Sequence, residues 1–315
     1  MDKTYSDYAA SKTVELLGID SPTGFTAKAA EWVKAQFEAL GYTASITEKG
    51  GVLIELDGEN AADALLLEAH TDTLGGMVAE IKSNGRLRLT NLGGLCAANC
   101  ETENARLYTG GGAVIEGTLQ LCNASIHVNG DFADTKRSFD TTELVLDEDV
   151  KSAEDTRALG VEVGDFVCFD PRTRITKSGY IKSRFLDDKL SVGILLGLAK
   201  YMKDTGAKPE RRVYAHITVY EEVGHGASAL ARDIDEFVTV DMGCVGLDLA
   251  GSEYAVSICA KDSGGPYDYE LTNRLIALAK KHELPYTVDI FPFYGSDVGA
   301  AGHAFLDCKG ALIGS

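Results

Sequence analysis

The sequence is poor in the features that mark membrane-bound, secreted or nucleic-acid-binding proteins. It has one tryptophan among 315 residues, and no stretch approaches the roughly 18 consecutive apolar residues needed to span a bilayer. Residues 1–7 form no apolar leader. The 30 basic residues are outnumbered by 48 acidic ones, the formal charge is −18, and no long basic run is present. We therefore expect neither nucleic acid nor a membrane as a partner.

The cysteines give no sign of a disulfide framework. There are seven, an odd number, and their scattered positions predict reduced thiols in a cytoplasmic protein. Cys96 and Cys100 could begin a zinc site, but no second Cys/His pair follows at a suitable spacing, so a structural role is expected for both. The three glycines at 110–112 lack the Lys-Ser/Thr of a P-loop and are interpreted as a turn.

The hydrophobic pattern predicts an α/β fold with a β-rich insertion. Helix-like and strand-like segments alternate before residue 75 and after residue 175, whereas residues 75–175 contain short strand-like segments between turns. The apolar run at 64–69 is typical of a strand buried on both faces of a mainly parallel sheet. Helices are expected at 4–17, 26–40, 152–159, 189–203, 227–231 and 269–282. Strands are expected at 44–47, 52–56, 64–69, 76–81, 86–90, 113–121, 125–128, 166–170, 212–220, 237–241, 254–257 and 286–291.

Histidine and acidic residues follow several of these strand-like runs. His70 and Asp72 come directly after the run at 64–69, and Asp187 and Asp188 precede an apolar helix. An imidazole at a strand end can bind a metal, while a nearby carboxylate fixes its tautomer. A structural role is the alternative for His70, and helix capping is the alternative for the Asp pair. Two adjacent acids favour the metal interpretation, because they repel one another unless a cation lies between them.

Glu221 and Glu222 give the sharpest signal in the chain. They end the apolar strand at 213–220, so that one carboxylate can bind metal while its neighbour activates a metal-bound water. A solvated turn is the alternative. Asp241 follows the apolar run at 237–240 and supplies a further candidate ligand, with a surface loop position as its alternative. Because strand ends converge at the rim of an α/β sheet, these groups predict a two-metal hydrolase.

Together these motifs resemble the M42 family of metallo-aminopeptidases, the glutamyl aminopeptidase and TET peptidase group. The resemblance covers nearly the whole chain and includes residues 159–165 and 295–297. Its motifs are specific in combination. They are His70-Thr71-Asp72, Phe185-Leu186-Asp187-Asp188-Lys189, Glu221-Glu222-Val223-Gly224 and Val240-Asp241-Met242.

The resemblance implies an aminopeptidase that hydrolyses N-terminal residues from short peptides. Its catalytic domain would comprise residues 1–74 and 176–315, with a mixed, mostly parallel sheet flanked by helices, as in zinc peptidases. Residues 75–175 would form an inserted β-barrel-like domain that drives dimerisation. The dimers would assemble into a larger homo-oligomer, up to a dodecamer.

The resemblance also implies two divalent metal ions per subunit, zinc or cobalt, with manganese also accepted. His70 and Asp241 would be terminal ligands of one ion, Asp187 would bridge the two, and Glu222 would bind the second. Glu221 would be the general base, and Asp72 would orient His70. The preferred N-terminal residue depends on loops whose geometry the sequence leaves open.

The chain departs from the family pattern in two places. Residues 73–75 are Thr-Leu-Gly where many members have Glu-Ile-Gly. The family also has one further ligand histidine in a C-terminal stretch, and the sequence reaches residue 315 without it, so either a tail is missing or the second metal site is incomplete. His303 comes too early in the pattern and is expected to be a structural or rim residue.

Three other functions are considered beside the aminopeptidase. A related di-metal amidohydrolase or deacylase would use the same core on small N-acyl compounds. A catalytically impaired member would follow from an incomplete second metal site. A glycoside hydrolase would pair Glu221 with an Asp, but Trp32, the one tryptophan, lies in a helix, so no aromatic sugar platform is apparent.

Overall fold

The computed structural model describes residues 3–229 and 234–315, so the expected helix at 227–231 lies partly outside the described residues. The helices are α1 Lys3–Leu17, α2 Ala27–Ala39, α3 Ala153–Ala158, α4 Leu186–Thr205, α5 Tyr269–Lys281 and α6 Asp297–His303. The strands are β1 Thr43–Ile46, β2 Val52–Asp57, β3 Asn60–His70, β4 Gly75–Ile81, β5 Leu87–Leu92, β6 Asn104–Tyr108, β7 Val114–Leu121, β8 Thr142–Leu146, β9 Phe166–Phe169, β10 Arg174–Ile175, β11 Ile181–Lys182, β12 Arg211–Thr218, β13 Glu236–Asp241, β14 Val256–Lys261, β15 Tyr286–Ile290 and β16 Lys309–Gly314. None of the helices in these described ranges is long and apolar enough to cross a membrane.

The chain forms two compact units. The first comprises Met1–Ile19, Thr26–Asp72 and Thr173–Ser315, and the second comprises Asp20–Phe25 and Thr73–Arg172. The main segment of the second unit begins two residues before the expected insertion at 75–175 and ends three residues before its end. The second unit also includes the short segment Asp20–Phe25.

The first unit is built on an eight-stranded sheet in the order β1-β2-β12-β3-β13-β16-β14-β15. The four central strands, from β12 to β16, run parallel, and β14 and β15 are also parallel to each other. The pairs β1–β2, β2–β12 and β14–β16 are antiparallel. The sheet is therefore mixed, and the expectation of a mostly parallel sheet holds for its four central strands and for β14–β15, whereas the other three strand pairs are antiparallel.

The apolar pattern of the central strands explains their position. β13 is buried along its whole length, and β12 is buried from its third residue onward. Such strands read as near-continuous apolar runs because helices cover both of their faces. On one face, α2 and α4 enclose a core that includes Val33, Phe37 and Leu196, all with no exposed surface.

Two glycines allow α1 and α4 to pack closely. A Cβ on Gly193 would lie 2.1 Å from Thr13 Oγ1 and 2.8 Å from the carbonyl of Ala9. One turn later, a Cβ on Gly197 would lie 3.1 Å from Ala9 Cβ. The i, i+4 spacing places both glycines on one face of α4, which contacts the backbone of α1 directly.

The second unit is a closed six-stranded barrel in the order β4-β5-β8-β7-β6-β9. The barrel encloses its own core, in which Leu107, Leu119 and Leu144 have no exposed surface. Two of its strands, β6 and β8, were not expected from the sequence. The strand expected at 125–128 was wrong: the segment forms turns, and Ile126 and Val128 are 63% and 78% exposed.

We predict that Gly193→Ala destabilises the first unit. Overpacking of this kind costs about 1–3 kcal/mol, and the better helix propensity of alanine returns at most about 1 kcal/mol. Urea denaturation should therefore show a net loss of about 1–2 kcal/mol. The matched control is Gly302→Ala in α6, where a Cβ would meet no atom within 4 Å. Equal stability of the two variants would contradict the close contact.

His216 on β12 predicts a pH-dependent contribution to stability. Its side chain is almost fully buried, Nδ1 has no hydrogen-bond partner among the described residues, and burial, together with the charge of Lys49, lowers its pKa to about 4. The unfolded chain, with a pKa of about 6.5, binds a proton that the folded chain excludes. Stability is therefore lost as pH falls from about 6.5 to 4, by about 3 kcal/mol for this group.

The test is the slope of unfolding free energy against pH, measured by urea denaturation, for wild type and His216→Gln. The variant should show a shallower loss of stability toward acid. His127→Gln, which replaces an exposed histidine in the second unit, is the control and should keep the wild-type slope. Parallel slopes for wild type and His216→Gln would show that His216 does not titrate as expected.

Candidate metal centre and active site

The candidate residues meet at the carboxyl edge of the parallel strands. β3 ends at His70, β13 ends at Asp241, and β12 ends just before the turn that carries Glu221 and Glu222. Thr218 on β12 is in register with His70 on β3, which places the two strand ends side by side. Ligands bind outside the carboxyl ends of such strands, so the topology alone brings these groups together.

The donor atoms are close enough to share a cation. His70 Nε2 lies 3.1 Å from Asp187 Oδ1, 3.7 Å from Glu221 Oε2 and 3.9 Å from Asp241 Oδ1. Ligand atoms of His70, Asp187 and Asp241 all lie within 4.8 Å of one another. Ligands around a tetrahedral zinc ion, at bonds of about 2.0–2.2 Å, are about 3.4 Å apart. The donor set and its spacing therefore fit a divalent metal.

The surroundings of His70 fix which ring nitrogen faces the acids. Nδ1 lies 2.9 Å from the carbonyl oxygen of Asp72 and 3.5 Å from its Oδ1. Both oxygens are acceptors, so Nδ1 donates to them, and Nε2 is the ring nitrogen that faces the carboxylates. Asp72 can thus orient His70 mainly through its backbone.

The carboxylate of Asp72 also holds the glutamate pair. Its Oδ1 accepts a hydrogen bond from Glu221 N at 3.1 Å, and its Oδ2 accepts one from Glu222 N at 3.3 Å. These glutamates form a short 3₁₀ turn that follows Tyr220, a residue with a left-handed backbone at φ 77°. The sequence motif did not reveal this second contact of Asp72, which links the strand end at His70 to the turn.

Lys49 supports the same loop from its far side. Its Nζ donates to the carbonyls of His225 and Gly226 and to Ser228 Oγ, the last at 2.8 Å. His225 N in turn donates to the carbonyl of Tyr220, and the two rings stack. The loop that carries Glu221 is therefore held at both ends by charged side chains.

Burial makes the acids of this edge hard to ionise without a cation. It raises the pKa of Glu222 to about 8 and that of Asp241 to about 6, and it raises the pKa of Glu221 well above its usual range. Nearby acids add to the shift at Glu222, with Asp187 the largest of them. Among the described residues, His70 is the ion-pair partner of Asp187, Glu221 and Asp241. A bound cation would restore their charge.

The two adjacent aspartates have different surroundings. Asp187 is exposed, whereas Asp188 is completely buried and its Oδ2 accepts a hydrogen bond from His70 N at 3.0 Å. Both have non-helical backbone angles at the start of α4. Asp187 is thus available to a ligand in the cleft, and Asp188 braces the end of β3.

Further buried polar groups behind the edge were missed by the sequence reasoning. Glu68 has no exposed surface and accepts hydrogen bonds from the hydroxyls of Thr218 and Thr239. Tyr294 lies in the cleft wall, where burial and the nearby charge of Asp241 raise the pKa of its hydroxyl. The signal at Glu68 was a charged residue inside an apolar strand, two positions before His70.

The site opens into a cleft of about 460 Å³. Asp187, Glu221, Glu222 and Asp241 are among the residues that line it, and His303 lines it as well. A larger, mostly apolar groove of about 620 Å³ lies elsewhere on the first unit and contains none of the candidate residues.

Comparison with known proteins agrees with this chemistry. A sequence model of the M42 glutamyl aminopeptidases matches residues 50–315. The chain belongs to this family. The putative aminopeptidase YhfE of Bacillus subtilis is 40% identical over 95% of this chain and 87% of its own length. The glutamyl aminopeptidase of Lactococcus lactis is 25% identical over 73% of this chain and 65% of its own length.

Solved structures show the same fold. The TET aminopeptidase of a marine sediment Thaumarchaeota archaeon matches with a TM-score of 0.88 at 21% identity, covering 98% of this chain and 88% of that one. The TET1 peptidase of Pyrococcus horikoshii matches with a TM-score of 0.83 at 21% identity, covering 97% and 90%. This M42 chain is therefore an aminopeptidase, a metal-dependent hydrolase that acts on peptide bonds.

Proposed function

We propose that the chain is a two-metal aminopeptidase that removes N-terminal residues from short peptides. The observation that carries the proposal is the convergence of His70, Asp187 and Asp241 within 4.8 Å, with Glu221 Oε2 3.7 Å from the imidazole. A deacylase of small N-acyl compounds would need the same core, but the family membership favours the peptidase.

We assign the ligands as follows. His70 and Asp241 would hold one ion, and Asp187 would bridge to a second ion bound by Glu222. The three donors of the first position fit the spacing of a tetrahedral ion, and Glu222 faces the same cleft as Asp187. Imidazole and carboxylate donors suit zinc, cobalt and manganese alike, so the ligand set admits all three.

Glu221 is assigned as the proton carrier. Divalent ions at this edge would polarise the scissile carbonyl and lower the pKa of a bound water toward neutrality. The carboxylate of Glu221 accepts the proton of the attacking water and returns it to the nitrogen of the leaving amine. Its position for both transfers is supported by the hydrogen bond from its own N–H to Asp72 and by the Lys49 contacts further along the loop.

The negative charge of the edge supports exopeptidase action. A peptide's free ammonium needs an acidic partner near the scissile bond, and Asp187, Glu222 and Asp241 lie together in the cleft. A peptide bound by an internal segment would bring no ammonium to the cleft, and these acids would then lack a cationic partner from the substrate. Cleavage is therefore expected next to a free N-terminus.

We also propose a cytoplasmic homo-oligomer. The cysteines of the described ranges are all free thiols, which suits a reducing compartment. Two similar structures are TET1 peptidases, one a dodecamer and the other able to assemble into a tetrahedron or a large octahedral shell. Dimerisation through the barrel unit is the assembly step we propose for this chain.

Glu221→Gln should abolish turnover while the metal content stays near wild type. The amide cannot accept the proton of water, and loss of a general base costs about 100- to 10,000-fold in rate. Amino acid release from short peptides and metal analysis of the same sample measure the two quantities. Glu253→Gln, an exposed residue outside the cleft, is the control. Wild-type rates in Glu221→Gln would remove the assigned base.

Asp187→Asn should reduce occupancy of both metal positions together, because the carboxylate proposed to bridge them would serve both ions. Equilibrium dialysis against zinc, followed by metal analysis, gives the stoichiometry. The control Asp204→Asn replaces an exposed acid at the other end of α4 and should bind like wild type. If Asp187→Asn lost one ion and kept the other at full affinity, Asp187 would be a terminal ligand of a single site.

A further inference from the structure

The cleft continues beyond the acidic edge into a wall of different composition. α6 contributes Gly299, Ala300 and His303, and Phe293 and Gly295 come from the loop after β15. Gly299 and His303 are one helical turn apart and therefore share a face of α6. This part of the wall faces the same space as the residues proposed to hold the metals.

Glycines leave open room in this wall. A Cβ on Gly295 or Gly299 would meet no heavy atom within 4 Å, and neither residue has a positive φ. The protein could therefore accept a larger residue in place of glycine at either position. The open volume beside them is available to a ligand, next to the exposed ring of Phe293.

Two charged groups near this wall, Asp262 and Lys261, already have hydrogen-bond partners within the protein. Asp262 is 4% exposed, and its Oδ1 accepts from the N–H groups of Gly264 and Gly265 while its Oδ2 accepts from the hydroxyl of Tyr267. The nearby ammonium of Lys261 donates to the carbonyl of Asp262. Among the described residues that line the cleft, none is lysine or arginine.

An acidic side chain would be poorly accommodated here. A carboxylate entering the wall would lose water, would gain no guanidinium or ammonium from the described lining, and would approach the charge of Asp262. The one basic group of that lining is the imidazole of His303, which is exposed, so that any ion pair with it would be screened by water. A bulky uncharged side chain meets neither cost and gains contact with the aromatic ring of Phe293 and the helix face. The open space and the charges of the wall therefore both favour a bulky uncharged side chain on the substrate.

We propose that this wall is the pocket for the substrate's N-terminal side chain and that it selects bulky uncharged residues over glutamate. The inference rests on the proposed aminopeptidase activity. If the acids of the metal edge bind the ammonium and the scissile carbonyl, the first side chain must enter the remainder of the same cleft. Gly299 then determines the size of the pocket.

The first experiment compares kcat/KM on peptides that differ only in their N-terminal residue, X-Ala-Ala-Ala, with X as Ala, Leu, Phe or Glu. The metal-loaded full chain should cleave the Leu and Phe peptides at least about tenfold better than the Glu peptide, the scale on which pockets discriminate side chains. Equal or faster cleavage of the Glu peptide would overturn the proposal. Absence of cleavage of every peptide would instead count against the aminopeptidase activity itself.

Gly299→Phe tests the location of the pocket. The new ring would occupy the open space, so the ratio of kcat/KM for Phe to that for Ala should fall at least about tenfold. Gly302→Phe is the matched control, because it lies on the same short helix, has open space around it and does not line the cleft. Its ratio should stay at the wild-type value. A ratio that is unchanged in Gly299→Phe, or that falls equally in both variants, would place the side-chain pocket elsewhere.

Discussion

The crowding of like charges at one edge of the sheet is the constraint on which the rest of the site depends. Four acids and one imidazole lie where the parallel strands end, and burial raises the pKa of Glu221, Glu222 and Asp241. Such a group is stable as a set of carboxylates only when cations lie among them. Metal binding is thus part of what makes the edge stable as well as what makes it reactive.

Two lysines near this edge donate to backbone oxygens. Lys189 follows the aspartate pair in sequence and is almost fully buried, yet its Nζ donates to the carbonyl of Ile19 at 2.6 Å. Lys49 donates to loop carbonyls in the same way. A lysine ammonium placed against the acids would compete with a divalent ion for the same oxygens, so these contacts keep the ligand set available.

The sequence predicted the parts of the molecule that carry strong local patterns. The apolar run of β3 predicted the centre of the sheet, and the acids at the strand ends lie together at its carboxyl edge. The barrel strand β6 has only two buried apolar residues, Ala105 and Leu107, and β16 enters the sheet by pairing with β13 and β14. β6 pairs with the nearby β7 as well as with the distant β9, so its weak apolar pattern explains why it was not predicted. β16 depends on strands distant in sequence, which a local pattern does not contain. The sequence likewise could not distinguish Asp187 from Asp188, because the two are adjacent and differ only in their burial in the folded chain.

The charge of the edge also limits what the rest of the cleft can contain. A further unpaired acid would add to the repulsion, and a mobile lysine or arginine would compete for the carboxylates. The described wall contains neither lysine nor arginine and consists largely of glycine, alanine, serine and aromatic residues, with an exposed His303. The carboxylate of Asp262, the nearest acid in that wall, is bound to two backbone N–H groups and a tyrosine hydroxyl. Charge can then position the ammonium and the scissile bond at one end of the cleft, while size discriminates between side chains at the other.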